Sequence, residues 1–219
     1  MPCWIAPPLE GLGRQIVLTL LIKFFLMTAI PKTLISEEEY LELERKAFEK
    51  SEYYKGEVFA MGGATKEHNK IVASIISALG QHLKGKGCFF FPSDLRVHNP
   101  NNTLYTYPDA IVVCGKEEYL DNKFDTLLNP TILFEVLSTS TENYDRGIKF
   151  KLYRNIPSLQ NYVLVSSTEY LAEVYTRSND TWILTTAKDK NKHIHISAID
   201  YDLQLSEVYE QIDELPLSH

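Results

Sequence analysis

The sequence predicts one α/β (α+β) domain: a mixed central β-sheet flanked by helices, with an N-terminal helix and hairpin ahead of it. Three observations predict it. Thr131-Ile132-Leu133-Phe134-Glu135-Val136-Leu137 follows Pro130 and is almost wholly apolar, as a strand covered on both faces is. Tyr107-Pro108-Asp109-Ala110-Ile111-Val112-Val113 is a second run of the same kind. Helical patterns bracket this strand group, one over 68–84 and one over 143–155. A chain of 219 residues with 44% hydrophobic content is large enough to bury one core.

The elements follow in order. Residues 16–30 are apolar apart from Lys23 and two threonines, too short and interrupted for a spanning helix. Met27-Thr28-Ala29-Ile30-Pro31 reads as a natural start. Residues 1–26 are therefore expected to be a non-native or disordered extension, and residues 27–219 the single domain. A membrane anchor is the competing reading. Ser36-Glu37-Glu38-Glu39 forms a capping box, and a helix is expected to about Lys50 with Tyr40, Leu43 and Ala47 on one face. Glu52-Tyr53-Tyr54, a Lys55-Gly56 turn and Glu57-Val58-Phe59-Ala60-Met61 make a hairpin.

Thr65 can cap the helix over 68–84, whose apolar stripe is Ile71, Val72, Ile75, Leu79 and Leu83; Gly85 and Gly87 end it. Cys88 to Phe91 reads as a strand continuing past Pro92 to Val97, and Asn99-Pro100-Asn101-Asn102 as a turn. A short helix is expected over 116–122. The helix over 143–155 stops at Ile156-Pro157. Strands are expected over 161–165, 171–176, 182–186 and 193–198, and a terminal helix over 205–212.

The net charge of -7 excludes recruitment of nucleic acid by global charge; a local basic patch is required. The three cysteines, Cys3, Cys88 and Cys114, are far apart and lack zinc-ligand spacing, so a reducing cytoplasm is the expected compartment.

Glu135 is the anomaly in its strand, because a buried charge is costly unless paired or bound to a metal. Asp109 repeats the anomaly. Side chains alternate along a strand, so Glu135 shares a face with Leu133 and Leu137, and Asp109 with Ile111 and Val113. If the strands are neighbours, both carboxylates can serve one Mg²⁺, with water and a phosphate oxygen completing its shell. Such an ion activates water and offsets phosphoryl charge. Lys149, in Asp145-Arg146-Gly147-Ile148-Lys149, is the candidate cation beside it, with Tyr153 one turn further on the same face.

At these residues the chain resembles the PD-(D/E)XK nuclease superfamily, and more closely its Uma-two family of restriction-endonuclease-like proteins. The stretches that carry the resemblance are Tyr54-Lys55-Gly56-Glu57-Val58-Phe59-Ala60-Met61, His68-Asn69-Lys70-Ile71, Ser93-Asp94-Leu95-Arg96-Val97, Tyr107-Pro108-Asp109, Glu135-Val136-Leu137-Ser138 and Asp145-Arg146-Gly147-Ile148-Lys149. Together they cover about residues 28 to 212. In the superfamily's Glu-X-Lys pattern a lysine follows the glutamate by two residues; here that position is Leu137, and Lys149 on the next helix is the replacement. The resemblance implies a restriction-endonuclease-like fold and a Mg²⁺- or Mn²⁺-dependent endonuclease acting on DNA, with no membrane association and a homodimer. It implies Asp109 and Glu135 as metal ligands and Lys149 as the catalytic cation. It adds Glu57, which stands where the family has a glutamate after the glycine turn.

Each residue has a plainer reading beside the functional one. Glu135 could pair with a buried Lys or Arg, and Asp109 could cap its strand start. Lys149 could be an exposed i,i+4 partner of Asp145, and Glu57 could pair with Lys55 across the hairpin. His68 could orient a site carboxylate or make only local hydrogen bonds. Asp94 could stand at the site edge, pair with Arg96 or cap the turn after Pro92. His193 and His195 share a strand face, but a solvated outer strand is the expectation there. The alternative to an enzyme is a catalytically inactive nucleic-acid-binding or interaction module on the same fold.

Overall fold

The computed structural model describes residues 34–213 and 215. The expected extension over 1–26, and with it the apolar stretch 16–30, lies outside the described residues. No helix among the described residues is long and apolar enough to cross a membrane.

Ser36 Oγ accepts the Glu39 N–H at 3.1 Å and starts α1 (Glu37–Glu44). The helix ends earlier than its periodicity suggests, because its last side chains have tertiary partners. Glu44 turns inward to accept the Ser51 N–H at 2.9 Å and the Tyr107 hydroxyl at 3.0 Å, while Arg45 reaches out to Asp121 and Asp125. The buried face is Tyr40, Leu41 and Glu44; Leu43 is exposed. The hairpin forms as expected from β1 (Ser51–Tyr54) and β2 (Glu57–Ala60), with Lys55 and Gly56 both at positive φ in the turn.

Thr65 Oγ1 accepts the His68 N–H at 3.2 Å and caps α2 (Lys66–His82), which buries Ile71, Ile75 and Leu79. Gly85 and Gly87, at φ +77 and +71, turn the chain into β3 (Cys88–Pro92). The expected continuation past Pro92 does not form. The chain turns over Ser93–Leu95, and β4 (Arg96–Asn99) joins a different sheet beside β5 (Leu104–Thr106). The short helix expected over 116–122 is likewise absent. That segment is extended instead, bridging Tyr119 to Leu127 of β7 (Thr126–Leu127), which pairs with β4.

β6 (Ala110–Cys114), β8 (Ile132–Leu137), β9 (Asn161–Ser166), β10 (Leu171–Ser178) and β11 (Thr181–Lys188) complete a six-stranded mixed sheet ordered β11-β10-β9-β8-β6-β3. Only β8 and β9 run parallel in it. The second sheet is ordered β2-β1-β5-β4-β7, and β12 (His193–Ile196) pairs with β13 (Tyr201–Gln204). On one face of the large sheet, α2 packs with β12, β13 and α5 (Leu205–Val208) over Ala110, Val112, Ile132, Phe134 and Val163. On the other, Val97, Leu104, Leu127, Leu152 and Tyr153 cover Ile111, Val113, Leu133, Leu137 and Tyr162. Burial on both faces is why β8 and β9 read as continuous apolar runs.

Cys88 and Cys114 stand opposite each other across β3 and β6 and are disulfide-bonded, with Cα atoms 4.0 Å apart. Strand register, invisible in sequence spacing, brings them together. The argument from separated cysteines to a reducing compartment therefore does not carry over to this pair.

Candidate active site

The site grows from the register of β6 against β8. Ala110 faces Phe134, Ile111 faces Leu133 and Val112 faces Ile132. The paired register ends there, and Asp109 stands immediately before β6, near enough to Glu135 for their charges to interact. Within the paired stretch the faces alternate: Ile111, Val113, Leu133 and Leu137 lie in one apolar cluster and Ala110, Val112, Phe134 and Val136 in the other.

The regular ladder opens at this step. The Asp109 N–H donates to the Phe134 carbonyl at 3.0 Å, and the Val136 N–H donates to Asp109 Oδ2 at 2.7 Å. The carboxylate thus replaces a ladder partner and is held beside Glu135. His68, in the first turn of α2, places Nε2 3.2 Å from the same Oδ2. His68 Nδ1 is buried without a hydrogen-bond partner. Oδ1 receives neither contact.

Glu135 is 5% exposed. Its Oε1 takes the Lys149 ammonium at 2.9 Å and the Tyr153 hydroxyl at 3.0 Å, and Oε2 receives neither. Tyr153 also shares a hydrogen bond with Thr106 Oγ1 at 3.0 Å.

Lys149 arrives through a local irregularity. The helix expected over 143–155 is present as α3 (Glu142–Tyr144), a π-helical turn over Asp145–Lys149, and α4 (Phe150–Tyr153). The π turn buries Asp145 and Lys149 on its inner side and leaves Arg146, Gly147 and Ile148 outside. The Asp145 carbonyl takes the Tyr162 hydroxyl at 3.2 Å. Arg146 points away and pairs with Glu142 and Glu173. The exposed i,i+4 reading of Lys149 is therefore corrected: its side chain is 8% exposed, and Asp145, at 3.7 Å, is the farthest of three carboxylates around it.

The third carboxylate is Glu52 of β1, 3.2 Å from the ammonium and accepting the Thr106 hydroxyl. The resemblance gives Glu57 as the hairpin carboxylate of the site. Glu57 stands opposite Tyr54 at the turn end of the hairpin, and Glu52, opposite Phe59, is the hairpin carboxylate that reaches Lys149. The signal was present, since Glu52 shares the Tyr54 face and has no basic residue across the hairpin. Asp94 has a partner of its own. Its side chain is 87% exposed on the Ser93–Leu95 turn and pairs with Lys50 at 3.0 Å. His195 pairs with Asp202 at 2.8 Å on an exposed strand, as the plain reading of the His193–His195 face required.

The electrostatics follow from burial. Glu52, Glu135 and Asp145 surround a single ammonium. Burial and the nearby Asp145, Asp109 and Glu52 hold the Glu135 carboxyl well above its ordinary range against the opposing pull of Lys149. Asp145 is raised mainly by burial. For Lys149, burial favours the neutral form, but Glu135, Glu52 and Asp145 outweigh it and keep the ammonium charged. A buried cluster with more acid than base either binds protons or attracts a cation.

The donor set fits a hard divalent ion. Asp109 and Glu135 each use one oxygen for the scaffold contacts above, and the surrounding charge is negative. Among the described residues no group of three or more His, Cys, Asp or Glu side chains closes into a metal cage. An ion here would keep open positions for water and substrate.

A mixed sheet covered by helices, with an acid pair where two antiparallel strands part, defines a restriction-endonuclease-like domain. Residues 37–207 match the Uma2 family, described as "Putative restriction endonuclease", and the chain belongs to that family. Two proteins of Synechocystis sp. (strain PCC 6803) are similar along most of their length. Uncharacterized protein slr1290 is 36% identical over 176 residues, 80% of this chain and 91% of that one. Uncharacterized protein sll1609 is 33% identical over 173 residues, 78% of this chain and 98% of that one. A crystal structure from Anabaena variabilis, described as "a putative nuclease belonging to DUF820", superposes with a TM-score of 0.66 over 80% of this chain and 98% of that one. At 17% identity that likeness speaks for the fold alone.

Proposed function

We propose that this protein is a metal-dependent endonuclease that hydrolyses phosphodiester bonds of DNA. The observation that carries the reading is Asp109 near enough to act on the charge of Glu135, with the Lys149 ammonium 2.9 Å from Glu135. Asp109 and Glu135 would hold Mg²⁺ or Mn²⁺. Such an ion, when bound, supplies a more acidic water and neutralisation of phosphoryl charge.

The chain's own residues do the rest. The Val136 N–H and His68 fix Asp109, and Tyr153 fixes Glu135. Glu52 and Asp145 hold the Lys149 ammonium against the acid pair, where it offsets negative charge developing on the phosphoryl oxygens. The lysine missing two residues after Glu135 is thus replaced in charge by one delivered from the π turn.

The test is cleavage of single- and double-stranded DNA by the purified full chain with Mg²⁺ or Mn²⁺. Cleavage abolished by chelator and by Asp109→Ala supports the reading. An inert protein, or equal activity in Asp109→Ala, counts against it. A second reading, an inactive nucleic-acid-binding module, is favoured by the three carboxylates that already engage Lys149. DNA binding without cleavage, unchanged by chelator, selects that one.

A further inference from the structure

A row of side chains leads from solvent into the acid cluster. Phe59 of β2 stands opposite Glu52 of β1, and directly opposed residues of an antiparallel pair project from the same face. The Glu52 carboxylate accepts the Thr106 hydroxyl, Thr106 shares a hydrogen bond with the Tyr153 hydroxyl, and that hydroxyl donates to Glu135. Thr106, Tyr153 and Glu135 are buried, whereas Phe59 at the outer end of the row is 45% exposed. A second ring borders the cluster beside the π turn. Tyr144, the last residue of α3, is 36% exposed and immediately precedes the buried Asp145. Burial first, and then the charge of Glu52, push its hydroxyl up to about 12. Both rings therefore neighbour one carboxylate, and the mouth of the cluster is aromatic.

The cations of the π turn are already committed. Lys149 faces Glu52, Glu135 and Asp145, and Arg146 pairs with Glu142 and Glu173. On a chain of net charge -7, tracking a duplex from phosphate to phosphate gains little from them. A nucleobase is the part of DNA that suits an exposed ring beside a phosphodiester site, because every base has a face to stack. In a duplex both faces of a base are covered by its neighbours and its edge is paired. It reaches such a ring only by leaving the stack.

We propose that the acid cluster takes single-stranded DNA, and that Phe59 is a specificity-determining residue on which an unpaired base next to the bound phosphodiester stacks. The inference rests on the nuclease reading for the phosphodiester and adds to it the form of DNA that is taken. It makes an aromatic mouth, rather than a basic patch, the source of affinity.

Fluorescence anisotropy of labelled oligonucleotides with the purified full chain tests it, in Ca²⁺, which takes the same oxygen donors. The probes are a single-stranded oligothymidylate and the blunt duplex of that strand with oligodeoxyadenylate. The single strand should bind about tenfold or more tightly than the duplex, and Phe59→Ala should weaken it by about fivefold or more, the lower end of what one stacked base contributes. Phe59→Trp keeps a ring and should retain the binding. Both variants should keep the wild-type far-UV circular dichroism, because the Phe59 side chain is already half in solvent. A wild-type chain that binds the duplex as tightly, or binds neither probe, overturns the proposal. So does wild-type affinity in Phe59→Ala, or equal loss in Phe59→Trp. The assay needs no turnover. A chain that shows the expected pattern and cleaves nothing with Mg²⁺ or Mn²⁺ refutes the nuclease reading alone, and one that cleaves DNA but binds both forms alike refutes this inference alone.

Discussion

Lys149→Met is the sharpest perturbation of the acid cluster, because it keeps the length of the aliphatic stem and removes only the charge. The ammonium lies 2.9 Å from Glu135, 3.2 Å from Glu52 and 3.7 Å from Asp145, and all four side chains are buried or nearly so. Removing one member of a buried ion pair costs about 3–5 kcal/mol, because the partners stay desolvated without compensation. An exposed i,i+4 pair on a helix contributes only about 0.3–0.5 kcal/mol. With a urea m-value of about 2 kcal/mol/M, the buried reading predicts a midpoint shift of roughly 1.5 M or more at neutral pH. The loss should shrink at acid pH, where Glu135, already raised by burial and its acidic neighbours, takes up a proton and no longer needs the ammonium. Urea unfolding followed by circular dichroism at pH 5 and pH 8 measures both effects. A cost below about 1 kcal/mol at pH 8 would refute the reasoning, since that is the scale of a solvated pair. Under the proposed function, turnover should also fall by about a hundredfold or more.

Three further outcomes follow from the same geometry. The folded pKa values of Glu135 and Asp145 are raised, so their contribution is present at acid pH and lost as pH rises. The metal-free melting temperature should therefore fall above the ordinary glutamate value of 4.5, and Mg²⁺ should restore more of it at pH 8 than at pH 5 when both are read by differential scanning calorimetry; an equal Mg²⁺ effect at both pH values contradicts this. Glu52→Gln removes a carboxylate 3.2 Å from Lys149 and should lower DNA cleavage by about tenfold or more, whereas Glu57→Gln should change it less than about threefold; the reverse order restores Glu57 to the role first given it. Tyr153→Phe deletes the hydroxyl shared by Glu135 and Thr106 and should cost about 1–3 kcal/mol in urea unfolding; no measurable change would mean that the hydroxyl does not support Glu135.

The strands that carry Asp109 and Glu135 were legible because burial on both faces leaves a continuous apolar run, against which one carboxylate stands out. Face alternation gives the expectation that both acids share a side; the paired β6–β8 register stops at Ala110 and Phe134, one residue short of both. α2 was legible from its stripe, its Thr65 cap and its terminal glycines. What failed depended on partners far away in sequence. α1 stops at Glu44 because Ser51 and Tyr107 claim that side chain, and β4 leaves the line of β3 to pair with β5 and β7. Glu52 was passed over for Glu57 because the hairpin pattern gives the shared face but not which end of it meets Lys149. Asp145 looked like a surface partner because a regular α-helix was assumed, whereas the π turn carries both it and Lys149 inside. Cys88 and Cys114 meet only through register.

The central claim is that Asp109 and Glu135 form one open divalent-cation site beside a buried ammonium. Titration of the purified full chain with Mn²⁺, read by electron paramagnetic resonance of the free ion, tests it most directly. The account predicts one Mn²⁺ bound per chain at pH 8, lost in both Asp109→Asn and Glu135→Gln. Failure of the wild-type chain to bind the ion, or binding that survives both substitutions, would contradict it.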